Sequence, residues 1–334
     1  MTGQVPNRAA APAPLGFMLI AATAVLCTLG AAVGSMGWEP LWGAGGEASA
    51  SILWDIRLPR TLGAWLAGAL LGLAGAVAQG LFRNPLADPY LLGSATGAAL
   101  GVALLLALIG GSPGVAGGWA ASLGSTGAAF TGAVLAVLAT LSLAQGVQQT
   151  LRLLLAGVVV GMVFGALAAL VMFWAPDVLR SMQAFLLGTT GFLGWPAVGL
   201  LASTLALTLA LATALSRALD ALSLGEATAA SLGVALGPVR VLLVGVLALA
   251  TGAAVAQVGL IAFIGLVAPH LVRAMVKSTH RWLLPLSALA GGVLLLAADV
   301  LARWLLAPRE LPVGVLTAVL GGGYLLWLMQ RRPL

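Results

Sequence analysis

The sequence predicts an all-α polytopic membrane protein, and three observations support this: high hydrophobicity, low charge and long apolar segments. Of 334 residues, 61% are hydrophobic and 7% are charged, whereas a typical soluble domain has about 25% charged residues. This composition excludes a water-soluble fold. Because a transmembrane helix needs about 20 apolar residues, ten such helices occupy most of the chain and leave room only for short loops.

Apolar runs interrupted by charged residues, proline or glycine predict ten transmembrane helices. They form one transmembrane domain over 1–334, with a short cytoplasmic lead of about residues 1–14. The apolar run 239–276 would extend about 57 Å as one helix, nearly twice a hydrocarbon core of about 30 Å. Two helices joined near Gln257 and Gly259 are therefore predicted. The predicted helices cover residues 15–36, 61–82, 91–110, 125–146, 152–174, 195–216, 239–257, 260–276, 283–306 and 312–330.

The distribution of basic residues predicts the orientation of the chain. With both termini in the cytoplasm, ten basic residues lie inside and five lie outside, which satisfies the positive-inside bias. The basic residues are spread singly over short loops, so they do not indicate a nucleic-acid partner. Membrane lipid is the expected surrounding.

Glycines at helical spacing predict close helix packing. Gly68 with Gly72, and Gly157 with Gly161 and Gly165, form small-residue ridges that allow two helix backbones to approach. Contacts within one chain are favoured over a seam between two copies.

The stretch RLPRT at 57–61 places two arginines at the predicted outer end of the second helix. An arginine at a membrane edge usually snorkels or anchors the helix. Arg57 and Arg60 depart from the inside bias, however, and Arg303 and Arg309 gather on the same side. An outward basic rim fits the docking of an acidic extracytoplasmic partner, because complementary charge guides encounter and register.

Five stretches together resemble a known family. They are RLPRT (57–61), RNPLADPYLLG (83–93), LGEATAASLGV (224–234), GLIAFIGLVAPHLVR (259–273) and RELPVGVLTAVLG (309–321). In order and spacing they look like the permease subunits of iron-siderophore, haem and vitamin B12 ABC importers, the FecCD-type family. The resemblance implies a type II ABC importer permease bundle in the bacterial inner membrane. It also implies three kinds of protein partner: a second copy of the chain, two ATPase subunits and a periplasmic substrate-binding protein.

The resemblance also implies roles for individual residues. The residues that match the family's contacts with the binding protein are Arg57, Arg60 and Arg303. The segment that would couple to the ATPases is a short helix within 222–234. Independently of the resemblance, Gly225 and Gly233 mark the limits of a helix-sized piece there. The alternative is a solvated surface helix without a partner. The coupling residues are Leu224, Gly225, Glu226, Leu232 and Gly233, together with Asn84 and Asp88 of the preceding turn, where Asp88 could cap the next helix. The inner gate matches Gln149, Thr150 and Leu151, and Leu151 departs from the small polar residue familiar there.

The fifth helix and a short outer helix at 176–183 are placed by the resemblance along the translocation path. Met162, Phe164 and Met172 offer polarizable apolar contacts, with core packing as the alternative for each. Arg180 could meet an anionic group such as a haem propionate or a siderophore carboxylate. The alternative for Arg180 is an ion pair with Asp177, three residues earlier.

The sequence indicates a transport subunit that has no nucleotide-binding site of its own. A P-loop needs a Gly-Lys pair, and the only lysine, Lys277, follows Val276. ATP and Mg²⁺ are therefore expected on the partner subunits, and the chain itself is expected to bind no cofactor and no metal. Two histidines and one cysteine are too few for a metal site.

The favoured function is import of a bulky iron chelate by alternating access, with haem preferred and a siderophore or cobalamin as alternatives. A secondary transporter usually has ionisable groups near the midplane, and only Asp299 approaches that description. Arg303, four residues later, is the predicted structural partner of Asp299. A membrane enzyme would need convergent catalytic side chains, which the sequence does not provide.

Overall fold

The structure is a computed structural model in which residues 12–34, 37–38, 50–109, 119–144 and 150–331 are described. Within these ranges the chain is almost entirely α-helical, with one antiparallel pair of short strands, β1 (Val33–Gly34) and β2 (Gly37–Trp38). The long helices of the first half are α1 (Pro12–Ala32), α2 (Leu58–Phe82), α3 (Ser94–Leu108), α4 (Trp119–Leu143) and α5 (Thr150–Trp174). The remaining helices are α6 (Pro176–Leu187), α7 (Trp195–Ala214), α8 (Ser216–Ser223), α9 (Glu226–Ser231), α10 (Leu236–Val258), α11 (Ile264–Met275), α12 (His280–Trp304) and α13 (Val313–Arg331).

The ten predicted membrane segments each correspond to an apolar helix. Among the described residues, seven helices are long and apolar enough to cross a membrane, and α3, α11 and α13 are apolar but shorter. The predicted fold class is therefore confirmed. The agreement between a predicted segment and an observed helix is poorest at α11, whose 12 residues extend only about 18 Å.

The predicted start of the second helix at residue 61 is wrong. Helical structure begins at Ala50 and continues for 33 residues to Phe82, so RLPRT lies inside the helix. A π-helical turn at Leu53–Arg57 precedes Pro59 in the first turn of α2. Proline lacks a backbone N–H and interrupts regular helix hydrogen bonding, and the wider turn just before it accommodates this loss.

The predicted break between the seventh and eighth helices is confirmed. Helix α10 ends at Val258, and Gly259 follows with φ +69°. Phe263, which precedes α11, also has a positive φ of 69°. Because left-handed backbone is costly for a residue with a Cβ, Phe263 marks a connection that the surrounding structure holds in place.

Helix α2 lies in the centre of the bundle, and α5 lies at its periphery. In the most apolar window of each helix, 89% of residues are buried for α2 and 22% for α5. A Cβ on Gly72 of α2 would overlap the carbonyl oxygen of Ser287 on α12, and one on Gly157 of α5 would overlap that of Leu91. Both predicted glycine ridges thus make contacts within one chain, as expected.

The short helices also agree with the sequence. The predicted outer helix is α6, with Pro176 in its first turn, where a missing N–H costs least. The segment predicted to couple to an ATPase contains α9, preceded by Gly225 with φ +112° and followed by Gly233 with φ +82°. Only glycine adopts such backbone angles at low cost, so these two residues set the limits of the helix.

Candidate functional site

Two polar clusters lie at opposite ends of α2. One surrounds Arg60, near the start of the helix, and the other surrounds Arg83, the left-handed residue that ends it, with φ 52°. We refer to them as the Arg60 end and the Arg83 end of the bundle.

Asp299 of α12 is the centre of the Arg60 end. Its carboxylate is fully buried and accepts hydrogen bonds from Arg60 Nε at 3.2 Å, from Arg303 Nη2 at 2.6 Å and from the hydroxyl of Thr190. A buried carboxylate needs such partners, because removing a charge from water without compensation is costly. The carboxylate of Asp299 is thus held between two guanidinium groups.

Arg303 is enclosed by the chain itself. The residue is 1% exposed, and Nη1 donates to the carbonyl oxygens of Gly30 and Val33, each at 2.9 Å. The predicted pairing of Asp299 with Arg303 is confirmed. In this conformation the guanidinium of Arg303 faces the end of α1 and not an open surface. A docking partner could not reach it directly, so the predicted direct contact is not available in this conformation.

Arg60 bridges a buried acid and a partly exposed one. Its Nη2 lies 3.1 Å from Asp299 Oδ1, and its Nη1 lies 2.9 Å from Glu310 Oε2. The side chains of Arg60 and Glu310 are 12% and 31% exposed. Arg57, one turn earlier, is half-buried and donates from Nη1 to the carbonyl oxygen of Ala31 at 3.3 Å. Arg57 therefore lies at the surface of this end, whereas Arg60 is mostly enclosed between Asp299 and Glu310.

Sequence reasoning missed two members of this cluster, Thr190 and Glu310. Glu310 stands in the stretch that begins at Arg309, which supported the family resemblance, but nothing linked it to Arg60, 250 residues away along the chain. Thr190 lies in a loop and carries no pattern of its own. Only the fold brings these residues together.

At the Arg83 end, Glu226 connects three helices. Glu226 Oε1 lies 2.5 Å from Arg240 Nη2, on α10, and 3.5 Å from Arg83 Nη2, at the end of α2. The Arg240 side chain is 4% exposed. The predicted coupling helix is thus attached to the bundle through the residue predicted to face an ATPase.

A second carboxylate, that of Asp220, lies nearby on α8. Its Oδ1 accepts from the backbone N–H of His280 at 2.9 Å and lies 2.6 Å from His280 Nδ1. His280 is the first residue of α12, so Asp220 satisfies one of the free N–H groups at that helix start.

The turn after α2 has the local bonds that its sequence predicts. Asn84 Oδ1 accepts from the N–H of Leu86 at 2.9 Å, and Asp88 Oδ1 accepts from the N–H of Tyr90 at 2.8 Å. Asp88 thereby caps the 3₁₀ turn Pro89–Leu92 that leads into α3, as expected. Burial raises the pKa of the Asp88 carboxyl, and the bond from the Tyr90 N–H opposes this shift.

Exposed leucines flank α9 at the same end. Leu224 is 66% exposed and Leu232 is 63% exposed. Both line a groove of about 760 Å³ whose walls include Arg217 and Lys277. An apolar pair beside basic side chains is a surface on which another protein could pack.

The predicted path and gate residues lie mainly on α5. Met162 is exposed, Phe164 is half-buried, and Met172 packs against a buried cluster that includes Met182. Arg180 of α6 is exposed. The part of the chain that the structure describes contains no ion pair between Arg180 and Asp177.

Of the gate residues, Gln149 lies outside the described residues. Thr150 is the first residue of α5, and Leu151, which follows it, is exposed. Across the described ranges, no group of three or more His, Cys, Asp or Glu side chains could hold a metal ion.

A bundle of apolar helices with a polar cluster at each end is the architecture of a polytopic membrane protein. The chain belongs to the FecCD transport family, which matches residues 17–331. It is 40% identical over 325 residues to the hemin transport system permease protein HmuU of Yersinia pestis, covering 95% of each chain. It is 42% identical over 280 residues to the vitamin B12 import system permease protein BtuC of Salmonella paratyphi A, covering 84% of this chain and 83% of the relative.

A solved structure is similar over nearly the whole chain. It is described as an inward-facing conformation of a metal-chelate type ABC transporter, with a TM-score of 0.85 and 28% identity, covering 96% of this chain and 100% of the other. PsaBC from Streptococcus pneumoniae, in complex with Fab, has a TM-score of 0.54 and 19% identity, covering 80% of this chain and 90% of the other, which shows a shared fold. The chain is therefore the permease of an ABC importer.

Proposed function

We propose that this permease carries haem across the bacterial inner membrane by alternating access, from a periplasmic substrate-binding protein to the cytoplasm. The observation that carries the proposal is 40% identity to a hemin permease over 95% of both chains. We further propose that the chain has both termini in the cytoplasm and pairs with a second copy of itself and with two ATPase subunits. Those subunits would bind and hydrolyse ATP with Mg²⁺, while the permease itself catalyses no reaction.

The Arg60 end supports docking of the substrate-binding protein. Arg57 provides positive charge at the surface of this end, with the mostly enclosed Arg60 beside it, and acidic side chains on the docking protein would complement this charge. Arg303 would contribute indirectly, because with Arg60 it shares the carboxylate of Asp299 and so fixes where Arg60 lies.

We expect loss of charge at the RLPRT stretch to weaken docking. Arg57→Glu combined with Arg60→Gln should lower the affinity for the binding protein by about 2 kcal/mol, roughly thirtyfold, and should change the salt dependence of binding. Gln is chosen at Arg60 because a third carboxylate beside Asp299 and Glu310 would disturb the fold. Surface plasmon resonance on the permease in lipid nanodiscs measures the affinity.

Arg309→Glu serves as the matched control for that double variant. Arg309 is exposed at the same end, so its reversal changes the local charge without touching the RLPRT stretch. An equal loss of affinity in the control and in the double variant would contradict a specific role for Arg57 and Arg60.

The Arg83 end supports attachment of the ATPases. Leu224 and Leu232 present apolar surface beside the basic groove, while Gly225 and Gly233 delimit α9 between them. The turn that contains Asn84 and Asp88 borders the same end. We propose these residues, with α9, as the coupling surface.

The path would follow α5 and α6. Met162, Phe164 and Met172 would provide apolar contacts for a porphyrin ring, and Arg180 would attract a propionate. Gln149, Thr150 and Leu151 would form the inner gate. Contacts of this weak kind suit transport, because a substrate that binds tightly leaves slowly.

The choice of cargo is tested with the complete transporter in proteoliposomes. We expect haem, delivered by its binding protein, to stimulate ATP hydrolysis, and Arg180→Gln to reduce haem uptake more than Arg152→Gln does. Stimulation by a hydroxamate or catecholate chelate or by cobalamin, without stimulation by haem, would contradict the haem assignment. Uptake driven by an ion gradient without ATPase subunits would contradict the importer mechanism itself.

A further inference from the structure

The segment 216–234, which contains α8 and α9, is fastened to the bundle by two carboxylates. Asp220 joins it to the start of α12, and Glu226 joins it to the end of α2 and the start of α10. Three long helices therefore meet one short segment through hydrogen bonds and ion pairs to these two carboxylates. Nothing in the amino-acid pattern of 216–234 indicates these long-range pairings.

The Glu226 contact is the more enclosed of the two. Arg240 is almost fully buried, and its charge faces Glu226 at 2.5 Å. Arg83 approaches the same oxygen from the surface, at 3.5 Å. A charged hydrogen bond to an enclosed arginine is stronger than one between exposed groups, so Glu226 fixes the first turn of α9.

The Asp220 contact fixes the other half of the segment. Its carboxylate binds both the backbone N–H and the ring of His280. Since that N–H belongs to the first residue of α12, tilting α12 would pull on α8.

The polar anchors and the exposed apolar residues have separate tasks. Glu226 is turned toward Arg83 and Arg240, whereas Leu224 and Leu232 are about two-thirds exposed. On this segment the two leucines are therefore more exposed than the side chain of Glu226, which is 33% exposed.

We propose that Asp220 and Glu226 are positioning residues that clamp the segment 216–234 to α2, α10 and α12, so that the segment moves with these helices as one unit. Glu226 thus acts through the bundle and not as a direct ATPase contact. The inference rests on the proposed function of this segment in ATPase coupling. It adds Asp220 and Arg240 to the residues on which coupling depends.

Hydrogen exchange on the permease in lipid nanodiscs tests the clamp without any partner. In Glu226→Gln, we expect the backbone amides of α9 to exchange roughly tenfold to hundredfold faster, the range expected for losing a hydrogen bond to a charged group. Asp220→Ala, which removes the acceptor for the His280 N–H, should accelerate exchange in α8 and in the first turn of α12. Amides in the middle of α2 should not change. Asp177→Asn, at an exposed acid of α6, is the matched control and should leave both regions unchanged.

A double variant separates positioning from general stability. Glu226→Gln removes the carboxylate that faces the buried charge of Arg240, which lowers overall stability. Adding Arg240→Met removes that charge and should restore the melting temperature, while exchange in α9 stays fast because the clamp is still absent. Exchange in α9 that returns to the wild-type rate in the double variant, or that never changes in Glu226→Gln, would overturn the proposal.

A pull-down of the ATPase distinguishes this inference from the function on which it rests. Deleting residues 224–234 should release the ATPase subunits. If they stay bound, the coupling assignment is wrong, whereas the exchange measurements still decide whether Asp220 and Glu226 hold the segment.

Discussion

Replacing Asp299 with alanine is expected to destabilise the folded permease by about 3–5 kcal/mol. Its buried carboxylate neutralises Arg60 and Arg303, and Arg303 is 1% exposed. Without Asp299, a fully enclosed guanidinium loses its only ion-pair partner in the described part of the chain. Chemical unfolding in mixed micelles, followed by tryptophan fluorescence, measures the change in free energy.

Two further variants test the electrostatic explanation. Asp177→Asn removes an exposed acid and should cost less than about 0.5 kcal/mol. Asp299→Leu combined with Arg303→Met removes both buried charges and should recover part of the loss, because an apolar pair can replace a buried ion pair. A double variant less stable than Asp299→Ala would show that volume, not charge, dominates at this site.

Gly75→Ala is the second substitution with a large expected effect. Gly75 of α2 lies so close to α11 that a Cβ would overlap the carbonyl oxygen of Gly265. Because the obstacle is backbone and not a flexible side chain, the two helices must separate, at a cost of about 1–3 kcal/mol or more. Thermal unfolding of the purified permease, monitored by circular dichroism, should show a clearly lower midpoint.

Gly245→Ala is the matched control for that glycine. Gly245 lies within α10, and among the described residues no atom beyond its chain neighbours and the adjacent backbone of its own helix lies within 4 Å of the position a Cβ would take. Alanine there should be neutral or stabilise the helix by up to about 1 kcal/mol. Equal losses at Gly75 and Gly245 would contradict the close approach of α2 and α11.

Much of the fold could be predicted because the membrane imposes strong rules. Hydropathy and helix length gave the apolar helices and the break before α11, since about 30 Å of hydrocarbon limits any single helix. The start of the second helix was missed because RLPRT combines charge with proline, which normally indicates a helix end. A π-helical turn, which has no evident sequence signal here, lets the helix continue through it.

The candidate sites were predictable only where their residues are close in sequence. Asp299 and Arg303 are four residues apart, so their pairing could be expected. Arg60 and Asp299 are 239 residues apart, and Glu226 pairs with an arginine on another helix, so both contacts depend on the packing of the whole bundle. The resemblance named Arg60, Arg303 and Glu226 as important without indicating that the chain itself supplies their partners.

The contrast between α2 and α5 has a consequence for how such permeases diversify. The apolar window of α2 is 89% buried, whereas only 22% of the α5 window is buried. Apolar exchanges along α5 therefore alter few contacts within the chain. Natural variation can therefore reshape this helix at little thermodynamic cost to the folding of the single chain.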